Sequence, residues 1–180
     1  NIHTLEEGYG VSLRKLETFA LKVYPKAKNP MMMASAIMQF KLEGQLIENF
    51  WVRFENGKAV EWDAEKGKDV LGEIINMDEG SCMLGEVALV PYDSPIQNSG
   101  LLFYNTLFDE NAACHLALGF GFADTIDGFE NMTLQECYDK GVNKSFMHVD
   151  FMIGAADTDI VATTRDGRKV QIFKDGNWAF

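Results

Sequence analysis

Residues 145–154 read SFMHVDFMIG. This stretch predicts a β-strand with one polar face and one apolar face, and the fold and the candidate site are both inferred from it. Side chains of a strand alternate between two faces, so His148 and Asp150, two residues apart, point the same way. Imidazole and carboxylate side by side are ligands for zinc or a similar divalent ion. An ordinary polar face of a half-buried strand is the alternative. The opposite face is apolar and predicts a core, formed by Met147, Val149, Phe151 and Ile153.

A second apolar stretch, LGEVALVP at 84–91, predicts a short strand that ends at Pro91. Glu86 is its only charged residue. A carboxylate in an apolar strand costs several kcal/mol unless it is paired or bound to a metal. Glu86 is therefore either a ligand or a residue of an edge strand that faces water.

The third stretch, FDENAACHLALG at 108–119, contains His115 in a segment that predicts a helix over about 109–118, ended by Gly119. The acidic residues at its start, Asp109 and Glu110, suit the helix dipole without any further function. His115 in the middle of this helix is either a hydrogen-bonded core residue or a ligand. Cys114 does not form a catalytic pair with it, because adjacent residues of a helix do not face each other.

The remaining patterns predict an α+β fold, with mixed or antiparallel strands and hairpins packed with helices. A hairpin is predicted over 45–65 around the turn Asn56-Gly57. Further strands are expected over 101–108 and in the C-terminal tail, where Asp166-Gly167 and Asp175-Gly176 form turns. Helices are predicted over 12–24 and over about 64–77. A third helix is predicted to begin at the capping box TLQE, residues 133–136, and to end at Gly141.

Composition limits the classes of partner and compartment. The 180 residues carry a formal net charge of −11, which excludes the basic surface that nucleic-acid binding requires. The three cysteines lack the spacing of a disulfide framework, and no apolar run is long enough to span a membrane. We expect a cytoplasmic protein without nucleic-acid or membrane partners. The chain does not begin with methionine, and we expect it to be part of a longer protein.

Three stretches of the sequence resemble one family closely. They are LIENFWVRFENGKAVEWDAEKG at 46–67, the long segment from LGEVALVPYDSP through DENAACHLALG at 84–119, and HVDFMIG at 148–154. Together with the ending GNWAF, they are similar to the thermophilic metalloaminopeptidase family of aminopeptidase T and aminopeptidase S type. The resemblance covers residues 44–180, which we interpret as the metal-bearing C-terminal catalytic domain of a larger two-domain enzyme. Residues 1–43 form a poorly matched N-terminal segment.

The resemblance implies a metal-dependent aminopeptidase that removes N-terminal residues from peptides by metal-activated water. It implies two divalent ions, zinc or cobalt, and a homodimer. Glu86, His115, His148 and Asp150 match metal ligands of the family, and Glu86 also has a catalytic role there. A further ligand glutamate is expected upstream. We assign it to Glu17 in KLETFA, as metal ligand and catalytic residue, with Glu6 and Glu7 as rivals.

One departure from the family concerns Phe122. The resemblance implies a tyrosine seven residues after His115, where its hydroxyl would stabilise the developing oxyanion, and phenylalanine has no such donor. The alternative to an enzyme is therefore a non-catalytic metal-binding or dimerisation module. A third reading, an α+β domain without a site, requires the four donor residues to lie apart in space.

Overall fold

The computed structural model describes residues 22–24, 47–103, 105–164 and 166–180. The described residues fall into two compact units, one comprising residues 22–24 and Ala155–Phe180, the other residues 47–154. All strand pairs in these ranges are antiparallel. The prediction of an α+β fold is confirmed. The predicted domain boundary between residues 43 and 44 lies outside the described residues and stays a prediction.

The first unit is a four-stranded sheet. Its strands are β1 (Lys22–Tyr24), β7 (Asp159–Thr163), β8 (Lys169–Lys174) and β9 (Asn177–Trp178), in the order β1-β7-β8-β9. The tail forms hairpins at the predicted turns, because β7 pairs with β8 and β8 with β9. Phe173 is fully buried, and Trp178 packs edge-on against its ring at 4.5 Å between centroids. The helix predicted over 12–24 is wrong for its last three residues, which form β1.

The second unit begins with the predicted hairpin of β2 (Glu48–Glu55) and β3 (Lys58–Lys66). Asn56 and Gly57 both have positive φ, as the favoured two-residue turn requires. Helix α1 (Lys68–Ile75) follows and buries the four apolar side chains expected inward: Val70, Leu71, Ile74 and Ile75. Both predictions are confirmed, although the helix is shorter than the predicted span.

A three-stranded sheet follows, in the order β4-β5-β6. Its strands are β4 (Leu84–Ala88), β5 (His115–Gly119) and β6 (His148–Met152). Between them lie the short helices α2 (Pro95–Ser99), α3 (Thr106–Asp109) and α4 (Leu134–Asp139), with 3-10 turns at Glu110–Ala112, Ala123–Thr125 and Phe129–Asn131. The capping box is present, since Thr133 accepts from Glu136 N and Glu136 accepts from Thr133 N.

One face of the three-stranded sheet closes the core of this unit. Phe151 packs against Phe50 and Phe54 of the hairpin, with ring centroids 6.0 and 6.4 Å apart. Leu118 and Ile74 are fully buried in the same cluster. The opposite face of the sheet carries the polar residues, as the alternation in residues 147–153 predicted.

The prediction that His115 lies on a helix is wrong. The helical segment ends at Ala112, Ala113 is extended, and His115 is the first residue of β5. Alanine and leucine favour a helix locally, but pairing with a strand on each side overrides that propensity. Gly119 is accordingly the last residue of a strand and does not end a helix.

The strand predicted over 101–108 is also wrong. Residues 101–103 form no regular element, and α3 begins at Thr106. Asn105 caps this helix, because its side-chain oxygen accepts a hydrogen bond from Leu107 N at 3.1 Å. A capping residue inside an apolar run was the signal for a helix start. Across the described ranges, no helix reaches the length and apolarity that would carry it through a membrane.

Candidate metal centre

The register of the three-stranded sheet aligns Glu86, Ala117 and Asp150 in one row. Glu86 pairs with Ala117 on one side and Ala117 with Asp150 on the other. Residues opposite each other in a sheet share a face, so the two carboxylates flank the methyl group of Ala117. Ala117 is fully buried, and its small side chain leaves room between them.

Glu86 owes its position to a bulge that the preceding glycine permits. The register of β4 against β5 shifts between Leu84 and Glu86. A Cβ on Gly85 would lie 2.2 Å from the carbonyl oxygen of Gly119, so only glycine fits. The bulge at Gly85 therefore sets the direction of the Glu86 side chain.

His115 is buried and oriented from behind by the backbone. Its Nδ1 lies 3.2 Å from the carbonyl oxygen of Ala113, which can only accept a hydrogen bond. Nδ1 therefore carries the proton and Nε2 turns towards the face, 3.2 Å from Glu86 Oε1. In metal sites, a hydrogen bond from the other ring nitrogen, like the one to the Ala113 carbonyl oxygen, fixes the orientation of a ligating histidine.

His148 is held in the same way on the neighbouring strand. Its Nδ1 donates to the carbonyl oxygen of Phe120 at 2.6 Å. Its Nε2 lies 3.1 Å from Asp150 Oδ1 and 3.4 Å from Glu86 Oε2. The hydrogen bond to Asp150, together with that to Phe120 and against the effect of burial, raises the pKa of His148 to about 9.

These donors converge on one small volume. Ligand atoms of Glu86, His115 and Asp150 lie within 4.8 Å of one another. Zinc bonds of about 2.0–2.2 Å place two ligand atoms roughly 3–4.5 Å apart, so small side-chain movements suffice to bind an ion. His148 contacts both carboxylates. The reading that scatters the four residues is contradicted by this geometry, whereas their role as ligands stays a prediction.

Glu110 is a residue that sequence reasoning missed. It was interpreted only as part of a helix start, but it lies in the 3-10 turn shortly before β5. Partial burial and the nearby charge of Asp150 raise the pKa of Glu110, and Glu86 contributes in the same direction. Its carboxylate therefore belongs to the electrostatic surroundings of the donors. The predicted helix over about 109–118 gave no indication that Glu110 lies near the donor residues, because it placed Glu110 and His115 on one continuous helix.

Phe122 lies at the edge of the same site. Its ring centroid is 4.8 Å from that of the His148 imidazole, and the ring is tilted by 60°. Phe120 packs edge-on against it at 5.5 Å. Position 122 is thus adjacent to a donor residue, and its side chain has no hydrogen-bonding group to offer there.

Cys114 belongs to the protein interior. It is buried, and its Sγ donates to the carbonyl oxygen of Val90 at 3.2 Å. Burial raises the pKa of this thiol to about 11, so it stays protonated and is no nucleophile at neutral pH. The proposed upstream ligand Glu17, and its rivals Glu6 and Glu7, lie outside the described residues.

Comparison with known proteins gives a consistent result. Residues 25–178 match the family described as thermophilic metalloprotease (M29). Aminopeptidase AmpS of Bacillus subtilis is 56% identical over 137 residues, which are 76% of this chain and 33% of that protein. Aminopeptidase T of Thermus aquaticus is 47% identical over the same share of each chain.

A solved structure agrees with these relatives. Wild-type AmpT from Thermus thermophilus superposes with a TM-score of 0.68 at 44% sequence identity, covering 77% of this chain and 34% of that one. The chain thus spans about a third of the length of the relatives that it matches.

Proposed function

This chain belongs to the thermophilic metalloprotease (M29) family, and on that basis we propose that it acts as a metal-dependent aminopeptidase that removes N-terminal residues from peptides. One observation carries the proposal. Glu86, His115, His148 and Asp150, from three strands, bring two carboxylates and two imidazoles to one face of the sheet. The relatives named aminopeptidases support the reaction class.

The chemistry of the donor set fits divalent cations. In the tautomer fixed by the Ala113 carbonyl, Nε2 of His115 presents a lone pair to the Glu86 carboxylate at 3.2 Å. A divalent cation lying between these two acceptor atoms would be bound by both of them. Imidazole and carboxylate together suit zinc or cobalt. We propose that two such ions would be held by Glu86, His115, His148 and Asp150, together with the upstream glutamate assigned to Glu17.

Ions held there would polarise the scissile carbonyl and activate a water molecule for attack. The chain's own residues supply the rest. The carbonyl groups of Ala113 and Phe120 hold the two imidazoles in place through their Nδ1 atoms. The negative carboxylates attract the protonated amine at the start of a peptide, which supports recognition of a free N-terminus. Glu86 or Glu17 moves the proton between water and the leaving amine.

The alternative function is a non-catalytic metal-binding or dimerisation module. The observation that favours it is Phe122, which lies beside His148 without a hydroxyl group. The loss of one oxyanion donor costs roughly 10²–10³ in rate. Such a module would bind the ions and leave peptides uncleaved.

We also propose that the chain functions as a homodimer in the cytoplasm. Leu107 and Phe108 of α3 are 76% and 52% exposed. Exposed apolar side chains of this size mark protein interfaces when they lie together. Sedimentation of the wild-type chain and of Leu107→Lys tests this, since a mass that is monomeric in both would contradict the dimer.

A single experiment separates enzyme from module. The chain is loaded with zinc or cobalt, its metal content is measured, and hydrolysis of leucine anilide is followed. We expect bound metal and turnover in the wild type, and neither in His115→Ala. Asp139→Asn, which removes an exposed carboxylate from α4, serves as the control and should match the wild type. Bound metal without turnover would favour the non-catalytic module. A chain that takes up no metal would contradict both the aminopeptidase and the metal-binding module.

A further inference from the structure

The donor face is the face of the three-stranded sheet that carries Glu86, His115, His148 and Asp150, and a cavity of about 410 Å³ lies beside it. Its lining includes Tyr92, Ile96, Gln97, Leu101, Leu102 and Met152. We propose that this side-chain cavity receives the apolar side chain of the peptide's N-terminal residue, and so sets which residue is removed. The inference rests on the proposed function and names the substrate class for the same site.

The cavity and the donor face share backbone and side chains. Met152 pairs with His115 in the sheet and lies two residues beyond Asp150, on the same face of β6. Ala113 also lines the cavity, and its carbonyl oxygen holds His115 Nδ1 at 3.2 Å. The cavity therefore adjoins the end of the donor face at which His115 lies.

The lining favours apolar side chains and disfavours acidic ones, because most of its residues are apolar and its charged residue, Asp109, is negative. The Asp109 carboxylate accepts hydrogen bonds from Phe103 N and Asn105 N, both at 2.9 Å. Gln97 Nε2 donates to the Tyr92 hydroxyl at 3.1 Å. None of the described residues that line the cavity carries a positive charge, so an acidic side chain would meet only the like charge of Asp109.

The wall formed by α2 is fixed relative to the donors. Ser94, which is buried, accepts from Gln97 N at 3.1 Å and donates to the Ala112 carbonyl oxygen at 3.1 Å. This single hydroxyl connects α2 to the turn that leads into β5. The cavity is therefore largely preformed, and its volume lies within the range of about 300–1,000 Å³ typical of ligand pockets.

The N-terminal residue of the peptide is the one that fits this position. In an aminopeptidase substrate, both the free amine and the scissile carbonyl of that residue lie at the donor face. We place its side chain in the cavity, which contains Met152, the sheet partner of His115. The second residue departs with the leaving group.

Two variants of the lining test the cavity. Ala112→Leu fills it beside the donor face, and Ile96→Ala enlarges it from α2. Binding of leucine amide and glycine amide is measured on metal-loaded chain, with the methionine methyl groups labelled with ¹³C and the Met152 signal assigned by Met152→Leu. Leu134→Ala, an exposed leucine of α4 outside the cavity, is the control.

We expect leucine amide, and not glycine amide, to shift the Met152 methyl signal. Ala112→Leu should weaken the binding of leucine amide by about tenfold or more, because a single methylene group that does not fit already has about this effect, and should leave the binding of glycine amide unchanged. Ile96→Ala should move the preference towards larger side chains, such as that of phenylalanine amide. The control should behave as the wild type.

The outcomes separate this inference from the proposed function. Full metal content with equal binding of the two amides in the wild type, or an unchanged preference in both variants, would overturn the cavity assignment alone. A chain that takes up no metal would overturn the proposed function as well. Metal content is measured in every sample for this reason.

Discussion

Glu86 and His148 lie 3.4 Å apart, from Oε2 to Nε2, although their strands β4 and β6 are separated by β5. Neither strand pairs with the other, so this proximity arises from side chains that reach across the middle strand. The short residue Ala117 makes the reach possible. The site therefore depends on the register of the three strands, which determines the side chains that lie opposite one another.

Replacing Ala117 with leucine should abolish metal binding while the sheet stays folded. A leucine at this position would fill the space between Glu86 and Asp150. Equilibrium dialysis against zinc measures the loss, and circular dichroism checks the fold. Leu116→Val, which alters the opposite face of the same strand, is the control and should keep its metal. Unchanged metal affinity in Ala117→Leu would place the ion somewhere else.

His115→Ala should lower metal content to background. The side chain is buried and supplies one of the three converging ligand atoms, so its removal leaves the site one ligand short. Removing a ligand or its supporting partner typically costs at least 10–100-fold in metal affinity. Mass spectrometry of the metal content gives the result. Retention of full metal content in a folded variant would contradict the ligand assignment.

Phe122→Tyr should raise turnover of leucine anilide without changing metal content. The ring lies 4.8 Å from that of His148, so a hydroxyl placed on it would be at the edge of the site. We expect a gain of about tenfold to a hundredfold, somewhat below the usual effect of an oxyanion donor, because the surroundings have not adapted to it. The matched control is Phe129→Tyr, a partly exposed phenylalanine in a different turn. Equal rates in the two variants would argue against a hydroxyl function at position 122.

Glu110→Gln should weaken metal binding by roughly fivefold to thirtyfold without abolishing it. The variant removes one negative charge from the surroundings of the donors and keeps the shape of the side chain. At the effective dielectric of a partly buried site, a charge several ångströms away contributes about 1–2 kcal/mol. Isothermal titration with zinc measures the change. A complete loss of binding would make Glu110 a direct ligand.

Asp78→Asn should destabilise the unit that contains the donor face. The Asp78 carboxylate accepts hydrogen bonds from Gly80 N, Ser81 N, Ser145 Oγ and Phe146 N at 2.7–2.8 Å. These contacts fix residues 145 and 146, which lie just before β6. Hydrogen bonds to a charged group contribute about 1.5–3 kcal/mol each, and the variant keeps part of them. We expect a loss of about 1–3 kcal/mol in urea unfolding at pH 7.

The same carboxylate gives this loss a pH dependence. Partial burial alone would raise the pKa of Asp78, but its four hydrogen bonds outweigh burial and hold the pKa below its ordinary value. A group whose pKa is lowered by folding stabilises the protein above its unfolded pKa, and the contribution is lost as pH falls through the folded value. The difference between wild type and Asp78→Asn should therefore shrink in acid. The exposed Asp139→Asn is the control, and a difference that is constant from pH 7 to pH 3 would contradict this.

Local chemistry made part of the fold predictable. The turn Asn56-Gly57, the apolar period of residues 68–75 and the capping box at Thr133 each depend on neighbours in sequence, and each is present. The pairing of His148 with Asp150 on one face follows from the period of a strand alone. The donor pair was therefore visible before any tertiary contact was known.

The rest of the site depends on contacts between distant segments. The residues around His115 favour a helix, and they form a strand because β4 and β6 both pair with them. That pairing also decides which side chains meet Glu86. Glu110 was missed for the same reason, since its proximity to the donors follows from where the turn before β5 is placed. Neither fact has a signal within ten residues of sequence.

The four-stranded sheet joins Lys22–Tyr24 to Asp159–Thr163, so its edge strand comes from the early part of the chain and its other strands from the end. During synthesis on the ribosome, the donor-bearing sheet has all its strands once Gly154 has emerged. Strand β1 can pair only after β7 has been translated, and a long loop then has to close. An unpaired strand is a template for association with other nascent chains, so β1 is open to such association until β7 has been made.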